Sequence, residues 1–67
     1  MMKLKKIRIK HNYSCGFMSE KLNISRPFYW QLENGKRRLS YEMAIKISKI
    51  FNMKPDDIFY NDYKNIK

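Results

Sequence analysis

Four residues in the middle of the chain fall in the first half of a short predicted helix: Arg26, Pro27, Phe28 and Gln31. An arginine there can donate two hydrogen bonds to the O6 and N7 atoms of guanine, and a glutamine can pair with the edge of adenine. Proline and phenylalanine have no hydrogen-bonding side chain, so they can read only apolar features such as thymine methyl groups. These residue types predict the reading of bases in the major groove of DNA. A solvated helix face is the alternative for Arg26 and Gln31.

A group of polar and cationic side chains follows the same helix. It consists of Asn34, Lys36, Arg37 and Arg38. Side chains of these types bind phosphate oxygens, and such contacts position a protein on a duplex without selecting its sequence. We expect this group, most of which lies in residues 35–39, the basic loop, to contact the DNA backbone. A basic loop that is merely solvated is the alternative.

The residues around these two groups predict a pair of short helices joined by a tight turn. Asn23 can adopt the left-handed backbone conformation that ends one helix, and Ser25 can cap the start of the next. Gly35 closes the second helix of the pair. We expect helix 2 over about residues 14–22 and the recognition helix over about residues 25–34. Paired helices of this kind place the second helix in the major groove while the first crosses the DNA backbone.

From Leu4 to Phe59 the chain resembles the DNA-binding domain of the Cro and phage-repressor type. The resemblance is carried by Gln31-Leu32-Glu33-Asn34-Gly35-Lys36, which is close to a signature of that family, and by Ala44 to Phe59. It implies an all-α fold, a five-helix lambda-repressor-like domain with a helix-turn-helix. It also implies that the four residues named first are the base readers, and that Ser25 contacts a phosphate or a thymine methyl group.

The resemblance also implies a role for Arg8, which falls on the inner face of a predicted first helix with Leu4 and Ile7. In proteins of this type the matching arginine pairs with the glutamate of the third helix, here Glu33. That pair also helps to hold the arginine against a DNA phosphate. The alternative is that Arg8 lies on the solvent side of the helix.

The start of helix 2 departs from the family pattern. The family usually has a phosphate-binding glutamine and an acidic residue that completes a capping box, but this chain has Cys15, Gly16 and Phe17. The usual residues for one phosphate contact and one capping interaction are therefore absent. Cys15 lies at a helix N-terminus, a position that can activate a thiol, so a redox role is a minor alternative.

Large aromatic side chains also replace the polar ones that the family normally has at Phe17, Phe28 and Trp30. One interpretation is that these rings pack on each other at the surface between helices 2 and 3. The other is that a partner protein covers them, because exposed aromatic patches commonly mark interfaces.

Composition limits the remaining options. The 67 residues predict a single domain, residues 1–67, of thin stability. The net charge of +9 favours a polyanionic partner, although codon bias in an AT-rich genome could contribute to it. The sequence has neither a signal peptide nor an apolar run near the roughly 18 residues of a membrane span, which predicts a cytoplasmic protein without membrane contact. A single cysteine fits a reducing compartment.

No constellation of catalytic residues is visible in the sequence. His11 is the only histidine, the carboxylates are scattered, and there is no glycine-rich loop that could hold a phosphate group. A single cysteine also excludes a cysteine-rich zinc site. We therefore expect no enzyme activity, no metal and no cofactor.

The C-terminal part predicts a fourth helix capped by Ser40, a short fifth helix from Pro55, and a tail over residues 60–67. An apolar stripe at helical spacing runs along its end: Phe59, Tyr63 and Ile66. We expect the stripe to pack against its copy in a two-fold homodimer, with Trp30 as a further interface candidate. Folding back on the same chain, or fraying, are the alternatives.

Together these patterns predict a transcriptional regulator that binds double-stranded DNA. The specific prediction is a repressor of phage, plasmid or mobile-element type, bound to a palindromic operator as a homodimer. The alternative is a protein-binding module of the same fold, such as an antitoxin, antirepressor or inhibitor. That module would use the three aromatic residues to contact a regulatory protein partner.

Overall fold

The computed structural model describes the backbone of residues 2–64 and the side chains of residues 3–60. Over that range the chain forms five α-helices and no β-strand. They are α1 (Met2–Lys10), α2 (Cys15–Leu22), α3 (Arg26–Glu33), α4 (Tyr41–Ile50) and α5 (Pro55–Lys64). This all-α architecture confirms the predicted five-helix fold, in which α2 and α3 form the helix-turn-helix.

Serine caps begin three of these helices. The Oγ atoms of Ser14, Ser25 and Ser40 accept backbone hydrogen bonds of 3.0, 3.1 and 3.1 Å from the N–H groups three residues further on. Each cap satisfies a donor that the first turn of a helix leaves without an intrahelical partner. The starts of α2, α3 and α4 are therefore fixed by local chemistry.

Left-handed residues end three helices and begin a turn. Asn12, Asn23 and Asn52 have φ of 59°, 57° and 55°, and Gly35 has φ of 71°. Asparagine and glycine adopt this conformation at least cost among the amino acids. The turn between α2 and α3 is short for this reason: Asn23 reverses the chain, Ile24 follows, and Ser25 already caps the next helix.

The core lies where the apolar faces of all five helices meet. Its fully or nearly fully buried hydrophobic residues are Leu4, Met18, Leu22, Tyr29, Leu32, Leu39, Ala44, Ile47, Phe51, Ile58 and Phe59. Burial of each large aliphatic side chain contributes roughly 1.5–3 kcal/mol relative to exposure. Helix α3 packs mainly on α2 and also contacts α1, which leaves its remaining face outward.

Helix α5 extends further than predicted. The sequence predicts a tail from residue 60, but the helix continues to Lys64, because no glycine or proline interrupts it after Pro55. Phe59 is completely buried in the core, so its assignment to the interface stripe is wrong for this chain. The side chain of Tyr63 and the whole of Ile66 lie outside the described residues. No helix in the described ranges is long and apolar enough to cross a membrane.

Candidate nucleic-acid interface

A buried ion pair ties α1 to α3. Arg8 donates from Nε to Oε2 of Glu33 at 2.7 Å and from Nη2 to Oε1 at 3.0 Å. Arg8 also donates from Nη1 to the backbone oxygen of Tyr13 at 2.9 Å, and the Tyr29 hydroxyl donates to Glu33 Oε2 at 2.8 Å. The structure thus brings together the two residues that the family resemblance pairs.

The electrostatics of this network favour the protonated forms of Arg8 and Tyr29. The hydrogen bond from Arg8 to Glu33 raises the pKa of the arginine above its usual value, despite an opposing effect of burial. Burial first, and then the hydrogen bond to Glu33, raise the pKa of Tyr29 far above that of an ordinary tyrosine. Only 12% of the Arg8 side chain is exposed, so its main effect is to hold α3 in position.

The outward side of α3 carries the predicted base readers. Its buried side consists of Tyr29, Leu32 and Glu33. Arg26 and Pro27 are exposed in its first turn, whereas Phe28 and Gln31 are half-buried. The proline sits where its missing N–H breaks no helical hydrogen bond. Helix α3 therefore has one face packed against the core and leaves the other face of its first two turns available to a ligand.

Gly16 receives the side chain of Arg26 at the start of α2. A β-carbon placed on Gly16 would lie 2.7 Å from both Nε and Nη2 of Arg26. The guanidinium consequently rests directly on the glycine, a contact that any other residue would obstruct. The departure from the family pattern at Gly16 was visible in the sequence, but this contact was not, because it joins two different helices.

An anion would be favoured at this junction between α2 and α3. The first turn of a helix carries a partial positive charge, and a guanidinium adds a full one. Arg26 can therefore supply a cationic donor close to the place where the family usually has a phosphate-binding glutamine.

Arg37 lies against α3 and not out in the basic loop. Its Cζ atom is 4.4 Å from the centre of the Phe28 ring, and its Nε donates to Gln31 Oε1 at 3.1 Å. The sequence assigned Arg37 to the phosphate-binding group with Lys36 and Arg38. All three side chains are exposed, but those of Lys36 and Arg38 make no hydrogen bond or ring contact with the described part of the chain.

Two other residues that are predicted to contact the DNA backbone already cap the ends of α3. The Asn34 Nδ2 group donates to the backbone oxygen of Trp30 at 2.9 Å, and Ser25 Oγ accepts from the Phe28 N–H. Both side chains are exposed and retain further hydrogen-bonding capacity. A phosphate contact by either residue would therefore add to a structural role.

The three unusual aromatic side chains occupy separate surroundings. Phe17 packs on Tyr13 with ring centres 4.3 Å apart, and Tyr13 in turn lies 5.8 Å from Phe51. Phe28 instead lies under Arg37, and Trp30 is 50% exposed. Within the described range no ring contact joins Phe17, Phe28 and Trp30 to one another, so the ring pairs do not support the first of the two interpretations, that these side chains pack on each other. Phe17 serves to anchor α2.

The five helices and the exposed face of α3 define a class of protein. A family model described as helix-turn-helix matches residues 4–58. The chain belongs to the helix-turn-helix family of Cro and phage-repressor type, a family of DNA-binding transcriptional regulators.

Relatives occur in archaea and bacteria. The chain is 41% identical over 61 residues to an uncharacterized helix-turn-helix-type transcriptional regulator of Methanocaldococcus jannaschii, covering 90% of this chain and 92% of the relative. It is 32% identical to one of Bacillus subtilis, covering 94% and 96%. A regulatory protein of Pyrococcus furiosus is 35% identical over 85% of this chain, which is 19% of that longer protein. No solved structure matches the chain at the significance that these relatives reach.

Proposed function

We propose that the protein is a sequence-specific repressor that binds a palindromic operator in double-stranded DNA as a homodimer. The observation that carries the proposal is the outward face of α3, where Gln31 and Arg37 form a hydrogen-bonded pair and Arg26 supplies a cation in the first turn. A buried ion pair ties this helix to α1. Hydrogen-bond donors on a fixed helix are what the reading of base edges requires. The net charge of +9 supports a polyanionic partner.

The proposed mechanism places α3 in the major groove. Arg26, Gln31 and the apolar surface of Pro27 and Phe28 read bases, while Lys36 and Arg38 bind phosphates on the flanking strand. Arg8 keeps α3 at a fixed angle to the rest of the domain through Glu33. Repression follows when the bound protein excludes polymerase from the promoter. Such a regulator works in the compartment that holds the DNA, which in bacteria and archaea is the cytoplasm.

Two-fold symmetry fits the dimensions of the subunit. A homodimer of this kind places its recognition helices about 34 Å apart, in successive major grooves on one side of the duplex. The subunit measures 30 × 22 × 19 Å, so two copies side by side span that spacing. We propose that the C-terminal end of α5 and the residues that follow it make the contact.

Selection of preferred duplexes from a random pool tests the proposed function directly. We expect a palindromic consensus, bound by the intact protein on the order of a thousandfold or more tighter than random duplexes. Gel shifts at two salt concentrations should show weaker binding at higher salt, because phosphate contacts release counterions. Recovery of no preferred sequence would contradict the proposal, and a non-palindromic consensus would remove its homodimer component.

A protein-binding module is the second candidate, supported by the half-exposed Trp30 on the recognition helix. Binding of duplex DNA discriminates between the two candidates. If Trp30→Ala leaves operator affinity intact while the protein binds DNA specifically, the exposed ring is not part of the DNA interface. If the unaltered protein shows no DNA binding at low salt, the protein-binding function becomes the better explanation of the exposed indole.

A further inference from the structure

Arg37 lies over the recognition helix although it belongs to the basic loop. Its guanidinium contacts Phe28 and Gln31, which are three residues apart and therefore neighbours on one face of α3. This location is over the middle of the helix and not at its C-terminal end, where the loop begins. The hydrogen bond to Gln31 fixes the edge of the guanidinium, and the contact with the Phe28 ring fixes its plane.

We infer that Arg37 is a specificity-determining residue, which reads the edge of a guanine together with Gln31 instead of binding a phosphate. The inference rests on the proposed DNA-binding function and adds a base reader to it.

The two contacts determine which donors of Arg37 remain for a ligand. Nε is used by Gln31 and one face of the guanidinium is covered by Phe28, so Nη1 and Nη2 provide the remaining donors. Two such N–H groups match the O6 and N7 acceptors of guanine. A phosphate could accept the same two hydrogen bonds. Phosphates, however, line the rims of the groove, whereas a side chain over the middle of the recognition helix faces the base edges.

Arg37 also orients the amide of Gln31. Because Nε of an arginine can only donate, it must meet the carbonyl oxygen of Gln31, which directs the amide nitrogen to the other side. A carbonyl oxygen has a second lone pair, so Gln31 can still accept from adenine N6 while its amide donates to N7. The two side chains thus form one reading unit that covers neighbouring base pairs.

Arg38 offers a matched comparison next to Arg37. It carries the same charge in the same loop and is exposed, but within the described side chains it has no hydrogen-bond or ring partner. If both arginines only bound phosphates, their removal would have similar effects on all duplexes. If Arg37 reads a base, its removal should weaken discrimination at one base position, whereas removal of Arg38 should weaken binding to all duplexes.

The experiment compares affinities of the full chain for its selected operator and for every single-base variant of that operator. Arg37→Lys keeps the charge but loses the planar guanidinium and its Nε–H donor. We expect this variant to lose discrimination on the order of 10- to 100-fold at one guanine position, while its salt dependence stays close to that of the unaltered protein. Arg38→Ala should instead weaken all duplexes by a similar factor and lower the salt slope by about 1.

A second pair of variants tests the contact between the two side chains. Gln31→Ala removes the acceptor of Arg37, so it should reduce discrimination at the guanine position as well as at its own base. In the double variant Gln31→Ala with Arg37→Lys, the losses at the guanine position should be less than additive. Circular dichroism of each variant checks that the helices remain intact.

The outcomes separate failure of the inference about Arg37 from failure of the proposed function. Unchanged discrimination in Arg37→Lys, or a uniform loss across all duplexes in that variant like that of Arg38→Ala, would overturn the inference and leave the proposed function standing. Additive losses in the double variant would also overturn the reading unit. If the unaltered protein prefers no sequence at all, the proposed function and the inference fail together.

Discussion

At the scale of single residues, Glu33 is the acceptor that holds α1 and α3 together. It is 3% exposed and receives hydrogen bonds from Arg8 and from the Tyr29 hydroxyl, which come from two different helices. A buried pair of this kind contributes little net stability compared with a well-packed apolar core. Loss of one partner is costly, however, because the other charge stays buried without compensation.

We expect Glu33→Gln to lower the free energy of unfolding by about 3–5 kcal/mol, since it leaves the Arg8 guanidinium without its carboxylate. Urea denaturation followed by circular dichroism measures the change. The control is Glu42→Gln, whose carboxylate is 84% exposed and 3.8 Å from Lys46. Exposed pairs contribute at most about 1 kcal/mol. Equal effects of the two variants would show that the Arg8–Glu33 pair does not hold the fold.

Tyr29 makes stability depend on pH at the alkaline end. Its pKa is raised in the folded state by burial and by Glu33, so the folded chain keeps the phenol proton that the unfolded chain releases near pH 10. This contribution to stability is fully present below about pH 10 and falls as pH rises further, by at most about 1.4 kcal/mol per pH unit. Urea midpoints between pH 9 and 11 should fall less steeply in Tyr29→Phe. Parallel curves for the two proteins would contradict the assignment.

At the scale of helices and turns, we expect the two glycines to respond to substitution in opposite directions. Gly16 is helical, and the three atoms nearest to a β-carbon placed there all belong to the flexible tip of Arg26. Gly35 has open space around it but a left-handed backbone with φ of 71°. The space around each glycine and its backbone conformation therefore favour opposite effects of an added side chain. We expect the backbone conformation to decide whether the substitution raises or lowers the free energy of unfolding.

We expect Gly16→Ala to raise the free energy of unfolding by up to about 1 kcal/mol, because alanine favours the helix. The same variant should weaken operator binding, since the new methyl group displaces the Arg26 guanidinium. Gly35→Ala should instead lower stability by about 1–2 kcal/mol. Thermal unfolding and gel shifts on the same samples measure both properties. A Gly16→Ala protein with unchanged operator affinity would remove Arg26 from the interface in this orientation.

Local chemistry explains which elements could be predicted from the sequence. Ser14 and Ser25 cap helices through atoms three residues away, and Asn23 ends α2 through its own backbone, so short stretches of sequence contain the signal. The position of Arg37 depends on a loop folding back over α3, which no local pattern encodes. The Gly16–Arg26 contact likewise exists only once two helices have met.

At the scale of the whole molecule, the proposed homodimer depends on the C-terminal end of the chain. We expect Tyr63→Ser combined with Ile66→Ser to weaken self-association and operator affinity together, because both side chains belong to the apolar stripe predicted for the interface. Sedimentation and gel shifts measure the two effects. Lys64→Ser is the control within the same segment. A double variant that sediments as a full dimer would place the interface on another surface, such as the exposed part of α4.

The contacts of Arg37 with Phe28 and Gln31 have a thermodynamic consequence for DNA binding. A free arginine side chain has roughly 2 kcal/mol of rotational entropy to lose when it becomes fixed. Here Phe28 and Gln31 restrict the guanidinium before any DNA binds, so part of that loss occurs during folding. Calorimetry should therefore find a smaller entropic penalty for operator binding by the unaltered chain than by Phe28→Leu, even where the two bind with similar enthalpy.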